Sequence, residues 1–451
     1  YAPHPPGYPV LMGIAKAFFA IFGGEPHRAV AVASVIGVGL ATASVYQIGK
    51  RLFDERVAHV VILLSLASPL IAIFASRPLS DMLGTGLGLA AVACAVEAIA
   101  SLSADEARAK RFAAGCGVMV ALTLGTRLSA VPVTAAAGLS LLAHAPLRFV
   151  ALGGGVGGLL AWALPFFAWV SPVEVTTSMS RHAAGHFNHH GGSVLTVSDP
   201  MERTVAFVRA LWAHGFGGPW SDRPRSTLAV GAGLGVLLAA AVPEKKIEPS
   251  AIPLRRMVMA CWLIHFAWVM LAQNIIWQPR HTMPLVWLAL PWVAQRAIAL
   301  WDRAAAATRF TGLDVRVVLL VALVMGVYES RRLAAIQRES APAPVRIAEY
   351  IAERAKKEKV IVATTQLRGW LSYRMPGVDV RRVKSLKETR SWRDEDATLL
   401  VTSEVPGARR AGTEVARADA EPFVSYVLYR MRVHERPRLK RKRPQKKSGD
   451  R

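Results

Sequence analysis

Cysteine is scarce in this chain, with only three among 451 residues: Cys94, Cys116 and Cys261. All three fall inside apolar segments, so neither a disulfide framework nor a cysteine metal site is indicated, and we expect small core residues. Acidic residues are also few, 31 against 55 Lys and Arg, which leaves a formal net charge of +24. The basic surplus is concentrated in loops and in the C-terminal tail.

Charged side chains are missing from long stretches of the chain. Segments 29–48, 57–76 and 149–170 contain no Lys, Arg, Asp or Glu. Runs of this length can cross a hydrocarbon layer of ~30 Å. Weaker apolar segments lie at 79–99, 112–126, 128–143, 227–242, 257–271, 282–300 and 317–328. Together they predict an α-helical polytopic membrane protein with about ten spans.

Basic residues alternate between the loops that join these segments. The basic loops contain Lys50, Arg51 and Arg56; Arg108, Lys110 and Arg111; Arg148; Lys245, Lys246, Arg255 and Arg256; and Arg296, Arg303, Arg309 and Arg316. By the positive-inside rule these loops face the cytoplasm. The alternate loops, the long loop 171–226 and everything after Glu329 should then face outward. We expect a multi-pass protein of a bacterial-type inner or plasma membrane.

The first residues read Tyr1-Ala-Pro-His4-Pro-Pro-Gly-Tyr8-Pro9. Prolines exclude a helix at this start, because they lock φ and push preceding residues into extended geometry. The apolar segment 10–22 that follows is predicted to be an interfacial helix outside the membrane. Because the chain starts with Tyr and shows no basic-apolar signal region, we expect it to be truncated at its N-terminus.

Three motifs share the outward side of this arrangement: His4-Pro-Pro-Gly-Tyr8-Pro9, Ser76-Arg-Pro-Leu-Ser-Asp81 and Gln278-Pro-Arg-His-Thr-Met-Pro284. In their order they resemble the polytopic GT-C glycosyltransferases that use lipid-linked sugars, which include protein O-mannosyltransferases and aminoarabinose transferases acting on lipid A. The resemblance covers residues 1–330, with the first family helix missing, and His281 stands where the family usually has Tyr. It implies an inverting transfer. It also implies a catalytic Asp in the first outward loop, before Tyr1, so the general base is not identified in this chain.

Four charged residues lie at the outward ends of the predicted spans: Arg77, Asp81, Arg127 and Arg280. Sugar transfer from a polyprenyl phosphate needs positive groups for the leaving phosphate, and a guanidinium can bond two phosphate oxygens at once. The three arginines are therefore candidate donor-phosphate ligands, with snorkelling to the interface as the alternative. Asp81 is a candidate supporting carboxylate that orients the acceptor or a cation. The alternative is a helix-start carboxylate favoured by the helix dipole.

Histidine and tyrosine side chains supply further candidates. The resemblance places His4, Tyr8 and His281 on the motif or acceptor side of the site. In the long outward loop, His186 follows His182 at the spacing of one helix turn, which would suit zinc or a contact with donor or acceptor, or a plain polar loop. No nearby Cys or Glu completes a metal signature, so no metal site is assigned. No cofactor is certain, and a divalent cation stays open.

Beyond residue 341 the pattern becomes that of a soluble protein. A helix is predicted at 345–356 and strands at 359–363, 397–402 and 423–433, which together suggest a small outward-facing α/β domain over 341–433. No nucleophile elbow or cofactor fingerprint is present in it. Residues 434–451 form a basic tail that we expect to be disordered and able to touch anionic lipid. With that end outside the membrane, nucleic acid is not an expected partner.

These observations predict a membrane glycosyltransferase that takes a polyprenyl-phosphate sugar as donor. The acceptor, a protein, a lipid glycan or a cell-wall polymer, stays open, and membrane lipids are the other partner. The alternatives are a lipid-linked sugar transporter or flippase, and a non-catalytic relative that only binds the donor. A transporter should show a pair of related halves. No such internal repeat is visible, and the long outward loop suits surface chemistry.

Overall fold

The computed structural model describes residues 8–24, 26–188, 193–195, 199–220, 231, 248–276, 278–306, 309–339, 343–364, 368–383, 385–392, 397–403, 405, 408–420 and 423–431. The chain divides into two compact units, Tyr1–Ala335 and Ile336–Arg451. The first unit is helical and the second contains a sheet. The predicted class, a helical polytopic membrane protein with a small C-terminal α/β domain, is confirmed.

The helices that begin in the first unit are α1 (Pro9–Phe22), α2 (Pro26–Leu52), α3 (Glu55–Leu66), α4 (Pro69–Phe74), α5 (Ser80–Ser101), α6 (Glu106–Thr126), α7 (Ala135–Ala143), α8 (Ala145–Phe167), α9 (Pro172–Asn188), α10 (Pro200–Val208), α11 (Ala251–Ala272), α12 (Met283–Ala306) and α13 (Arg309–Glu339). Among the described residues, five helices are long and apolar enough to span a membrane: α2, α5, α8, α11, and α12 with the 3-10 turn before it. Segment 10–22, predicted to be an interfacial helix, is helical as α1.

Two of the predicted spans are not single α-helices. Segment 57–76 breaks at Ser68, whose hydroxyl accepts a hydrogen bond from the Ile71 amide and starts α4, with Pro69 in its first position. Segment 128–143 begins as a 3-10 helix, Leu128–Thr134, which contains Pro132. Both interruptions follow from proline, which cannot donate to the preceding turn. The predicted span 227–242 lies outside the described residues except for Gly231.

Helix α5 is buried along most of its length, and a buried carboxylate lies near each of its ends. Glu97, near its C-terminal end, accepts hydrogen bonds from Arg51 Nε at 2.6 Å and from Arg108 Nη2 at 3.3 Å. These bonds join α5 to α2 and α6 on the predicted cytoplasmic side. At the opposite end of α5 lies Asp81.

Glycines bring α2 and α5 into backbone contact. A Cβ added at Gly37 would lie 2.4 Å from the Met82 carbonyl oxygen, and one added at Gly86 would lie 2.3 Å from the Gly37 oxygen. Gly154 of α8 meets the backbone of α6 in the same way, since an added Cβ would lie 2.2 Å from the Ala114 oxygen. Close approach at small residues is a common way for helices to pack in a membrane. Gly37 therefore decides how near α2 comes to the outer end of α5.

Replacing Gly37 with Ala should destabilise the protein by about 1–3 kcal/mol, because the new methyl group overlaps the backbone of α5. Gly39→Ala is the matched control on the same helix, since no atom lies within 4 Å of a Cβ added there. That variant should be neutral or slightly more stable, as Ala is the better helix former by about 0.5–1 kcal/mol. Thermal unfolding in lipid nanodiscs compares the two. Equal melting temperatures would contradict the contact between α2 and α5.

The second unit contains a five-stranded sheet in the order β2-β1-β3-β5-β4. Its strands are β1 (Val360–Thr364), β2 (Asp379–Arg382), β3 (Thr398–Thr402), β4 (Gly412–Ala420) and β5 (Phe423–Met431). β2, β1 and β3 run parallel, and β5 is antiparallel to both β3 and β4. The remaining helices are α14 (Ala343–Ala355), α15 (Arg368–Arg374) and α16 (Ala408–Ala411). Apolar clusters are packed on both faces of the sheet.

Candidate functional site

Asp81 lies in the first turn of α5 and is 3% exposed. Its Oδ1 atom is 3.0 Å from Arg127 Nη2 and 3.2 Å from Arg280 Nε. The two arginine side chains are themselves mostly buried, 12% and 25% exposed. Arg127 and Arg280 therefore turn inward to a shared carboxylate instead of snorkelling into the interface.

Arg127 reaches this position because α6 ends at Thr126 and the next residue is extended, with φ −163°. Its Nη1 atom donates to Ser80 Oγ at 2.8 Å, which adds a second contact with the start of α5. Gly84, one turn after Asp81, makes room for it, since a Cβ there would lie 2.9 Å from Arg127 Cβ. The glycine run in this helix thus serves the site as well as helix packing.

Arg280 lies in the 3-10 turn Pro279–Thr282 that leads into α12. A buried histidine of α11 holds this turn: His265 is 1% exposed, and its Nε2 atom is 3.2 Å from the His281 carbonyl oxygen. A 3-10 hydrogen bond to that carbonyl would have to come from residue 284, which is a proline without an N–H. The sequence analysis missed His265. Its position as an ionisable residue inside an apolar span was the signal that could have found it.

Arg77 lies in the connection between α4 and α5, and its side chain is half-buried. The backbone here is held by Ser34 Oγ, which contacts the carbonyl oxygens of Arg77 and Leu79. Burial and, after it, the nearby positive charge of Arg280 lower the pKa of Arg77 to about 10, while Asp81 opposes the shift. Arg77 stays charged at neutral pH.

Three guanidinium groups and one carboxylate leave this cluster with a surplus of two positive charges. We call Arg77, Asp81, Arg127 and Arg280 the arginine cluster. Within the described part of the chain, the second carboxylate oxygen, Asp81 Oδ2, is buried and has no hydrogen-bond partner. A half-buried site with excess guanidinium favours an anion that accepts several hydrogen bonds, such as a phosphate.

Of the other predicted site residues, the structure describes the side chains of Tyr8 and His281. Tyr8 precedes α1 in the left-handed region, with φ 53°, which is uncommon for a bulky residue. Its side chain packs on an apolar cluster that includes Leu83, two residues after Asp81. His281 is half-buried beside Arg280. His4 and the side chain of His186 lie outside the described residues.

No group of three or more His, Cys, Asp or Glu side chains that could hold a metal ion is found among the described residues. His182, His189 and His190 are beyond that search, because their side chains are not described. Asp81 is the carboxylate of the arginine cluster, and two positive groups already lie against it. The two arginines beside Asp81 favour the binding of an anion over that of a cation.

Arg203 is a second buried arginine that the sequence analysis missed. It belongs to α10 and is 2% exposed, and burial lowers its pKa. Its Nε donates to the Met270 carbonyl at 2.9 Å, and its Nη2 donates to Val269 at 3.3 Å and to Gln273 at 2.9 Å. These carbonyl groups lie at the end of α11, where carbonyls run out of donors within the helix, although that of Val269 also accepts the Gln273 amide at 3.3 Å. Arg203 therefore caps the helix that precedes the Arg280 turn.

Replacing Arg203 with Met should destabilise the protein by about 2 kcal/mol, because buried carbonyl groups lose their donor. Arg181→Met is the control, since Arg181 is an exposed arginine on α9. Thermal unfolding in nanodiscs measures both variants. An unchanged melting temperature for Arg203→Met would show that these carbonyls are satisfied by other donors.

Residues 3–170 match the family model described as dolichyl-phosphate-mannose-protein mannosyltransferase. No curated protein matches the chain in sequence.

Among solved structures, ArnT from Cupriavidus metallidurans bound to undecaprenyl phosphate is similar with a TM-score of 0.51 and 16% identity, over 95% of this chain and 88% of that chain. The same protein in the apo state has the same TM-score at 15% identity, over 95% and 88% of the two chains. The archaeal oligosaccharyltransferase AglB from Archaeoglobus fulgidus, in complex with an inhibitory peptide and a dolichol-phosphate, is less similar: TM-score 0.46 and 12% identity, over 93% and 66%. At these identities the similarity to ArnT establishes the fold. The family match and the shared fold confirm the predicted resemblance to the GT-C-type glycosyltransferases that use lipid-linked sugars.

Proposed function

We propose that this GT-C-type membrane glycosyltransferase moves a sugar from a polyprenyl-phosphate donor to an acceptor at the outer face of the membrane. The observation that carries the proposal is the arginine cluster, in which Arg127 and Arg280 meet at the buried Asp81. Support also comes from ArnT, which has this fold and was solved bound to undecaprenyl phosphate.

The transfer reaction needs positively charged groups as well as a carboxylate. An acceptor hydroxyl attacks the anomeric carbon, the bond from that carbon to the phosphate oxygen breaks, and the electron pair stays on the phosphate. Arg77, Arg127 and Arg280 would stabilise that growing negative charge. A carboxylate must take the hydroxyl proton, and the family resemblance assigns that role to an Asp of the family's first outward loop. Asp81, already paired with two arginines, acts as a positioning residue for them.

An apolar cavity offers a place for the prenyl chain of the donor. Its volume is about 260 Å³, and it lies among α3, α12 and α13, with Leu64, Leu290 and Leu319 in its walls. Ser68 and Gly215 close one end, joined by a hydrogen bond of 2.6 Å from Ser68 Oγ to the Gly215 carbonyl. One wall is α12, the helix that follows the Arg280 turn. A lipid-linked donor could thus keep its chain in an apolar cleft while its phosphate meets the cluster.

The orientation of the chain is part of the proposal. The basic loops contact one end of the helices, and the arginine cluster lies at the other end of α5 from Glu97. The positive-inside rule then puts the cluster and the C-terminal domain outside, in a bacterial-type inner or plasma membrane. His4, Tyr8, His281 and His186 stay candidates for the acceptor side.

Transfer of radiolabelled sugar tests the function. The protein as its gene encodes it is placed in nanodiscs with a labelled polyprenyl-phosphate sugar, and in parallel with a labelled nucleotide sugar. We expect label to reach an acceptor from the lipid-linked donor only, and added sugar-free polyprenyl phosphate to inhibit as product. Transfer from the nucleotide sugar alone would contradict the proposal. In sealed vesicles, movement of intact donor between leaflets without transfer would favour a flippase.

A further inference from the structure

A second and larger cavity has no role in the donor site. Its volume is about 790 Å³. Helix α1 forms one wall, the end of α8 and the turn after it form the opposite wall, and the start of α9 forms the rim. This volume lies within the range of pockets that bind organic ligands.

The end of α6 connects the cavity with the arginine cluster. Trp162 of α8 and Val10 of α1 line the cavity, and each would lie 2.7 Å from a Cβ added at Gly125 of α6. Arg127 follows Gly125 by two residues. Because Gly125 has no side chain, the residues that line the cavity pack directly against the segment that carries Arg127.

The lining combines aromatic faces with few polar groups. Trp162, Phe166 and Trp169 contribute their rings, and the Trp162 indole N–H donates to the Ala121 carbonyl at 3.0 Å, which orients that ring. Lys16 and Glu174 are the charged residues of the lining, with opposite signs. Aromatic rings give broad apolar contact to the C–H faces of a sugar, while an ammonium and a carboxylate bond its hydroxyl groups.

This lining suits a sugar better than an extended peptide. A bound peptide buries a row of backbone N–H and C=O groups that each need a partner. The polar side chains of the described lining that could serve are Lys16, Glu174 and Ser178, besides the indole groups. A sugar ring can instead place its C–H faces on the aromatic rings.

Large apolar side chains lie exposed around this region. Trp169 is 90% exposed, and Ile21 and Phe22, at the end of α1, are 72% and 74% exposed. Such side chains are suited to contact lipid at the membrane interface. We infer that this cavity binds the acceptor, and that the acceptor is a glycan carried on an apolar anchor. The inference rests on the proposed function, whose acceptor it names.

A binding experiment tests the cavity without any catalysis. The probe is radiolabelled decyl maltoside, used well below the concentration at which it forms micelles, with the protein in nanodiscs. Trp169→Ala and Glu174→Gln should each weaken binding about tenfold, the change expected for one lost contact of ~1.4 kcal/mol. The controls are Phe149→Ala, an exposed aromatic residue at the other end of α8, and Glu202→Gln, in the first turn of α10. Both control variants should bind like the wild type.

The transfer assay then tests the acceptor role of the cavity separately from the proposed function. With a glycolipid acceptor, the two cavity variants should raise the acceptor KM about tenfold and leave the donor KM and kcat within about twofold. Wild-type binding in both variants overturns the cavity assignment, and a change confined to the donor KM overturns its acceptor role. Displacement of the maltoside by a serine-rich peptide at lower concentration overturns the glycan class. If the probe binds as expected but the wild type moves no sugar, the proposed function fails while the glycolipid site stands.

Discussion

Asp81→Asn should lower kcat for sugar transfer about a hundredfold while leaving the affinity for polyprenyl phosphate unchanged or higher. Asparagine keeps the size of the side chain but removes the charge that faces Arg127 at 3.0 Å and Arg280 at 3.2 Å. The two guanidinium groups then repel each other and leave the geometry that suits the leaving phosphate, and a loss of this size is typical when one preorganised electrostatic contact fails. The positive surplus rises at the same time, so an anion is attracted at least as strongly. Steady-state kinetics and binding of labelled polyprenyl phosphate measure the two effects separately.

Asp105→Asn is the matched control for this variant. Asp105 precedes α6 at the predicted cytoplasmic face, and its carboxylate accepts a hydrogen bond from the Arg108 amide at 2.8 Å. Because Asn caps a helix about as well as Asp, this variant should keep nearly the full stability and should not affect the transfer rate. Because breaking a buried ion pair can cost about 3–5 kcal/mol, thermal unfolding of Asp81→Asn is measured alongside, and Asp81→Glu keeps the charge should the Asn variant unfold. Unchanged kcat in folded Asp81→Asn would leave Asp81 as a plain helix-start carboxylate.

Arg280→Gln should lower kcat/KM about 100- to 1,000-fold, a loss of about 2.7–4 kcal/mol in transition-state stabilisation. The guanidinium of Arg280 meets Asp81 and is close enough to Arg77 to lower the pKa of that residue. Its removal takes a positive charge from the phosphate site, so the affinity for sugar-free polyprenyl phosphate should also fall. Asp81 and Arg280 form one ion pair, yet Asp81→Asn and Arg280→Gln are expected to change the affinity for polyprenyl phosphate in opposite directions. A purely structural ion pair would give no such difference.

Arg181→Gln is the control, because Arg181 is an exposed arginine on α9 and should leave both parameters unchanged. The double variant Asp81→Asn/Arg280→Gln tests the coupling between the residues. If Asp81 acts through Arg280, the double variant should be no slower than Arg280→Gln alone, since effects of residues that act together are not additive. A loss equal to the sum of the two single effects would show that Asp81 acts on the reaction by another route.

The helices of the first unit could be predicted because hydropathy and proline act locally. The span over 29–48 corresponds to α2 and that over 257–271 to α11, with ends that differ by a few residues. Segment 57–76 is apolar throughout and so gave no sign that it is two helices, because the break at Ser68 depends on a cap and a proline. In the second unit, the strands at 359–363 and 397–402 correspond to β1 and β3.

The site was only partly predictable. Arg77, Asp81, Arg127 and Arg280 could be singled out because charge at the outer end of an apolar segment is rare and visible in the sequence. The sequence does not show whether each arginine side chain points to water or to Asp81. His265, which holds the Arg280 turn, and Arg203, which caps α11, were missed because their partners are backbone carbonyls of distant segments.

The sequence by itself determined that this protein crosses a membrane, which loops are basic and which charged residues lie near the ends of its apolar segments. These properties depend on the transfer of each segment between water and hydrocarbon, and so on the composition of that segment alone. Only the tertiary structure decided that Arg127 and Arg280 meet at Asp81, and that an aromatic cavity lies against the same helix. Those outcomes depend on how closely α2, α5, α6 and α8 approach, which is set by contacts at glycines such as Gly37, Gly84 and Gly125. Such contacts join residues far apart in the chain, so they cannot be predicted from the spacing of residues along the sequence.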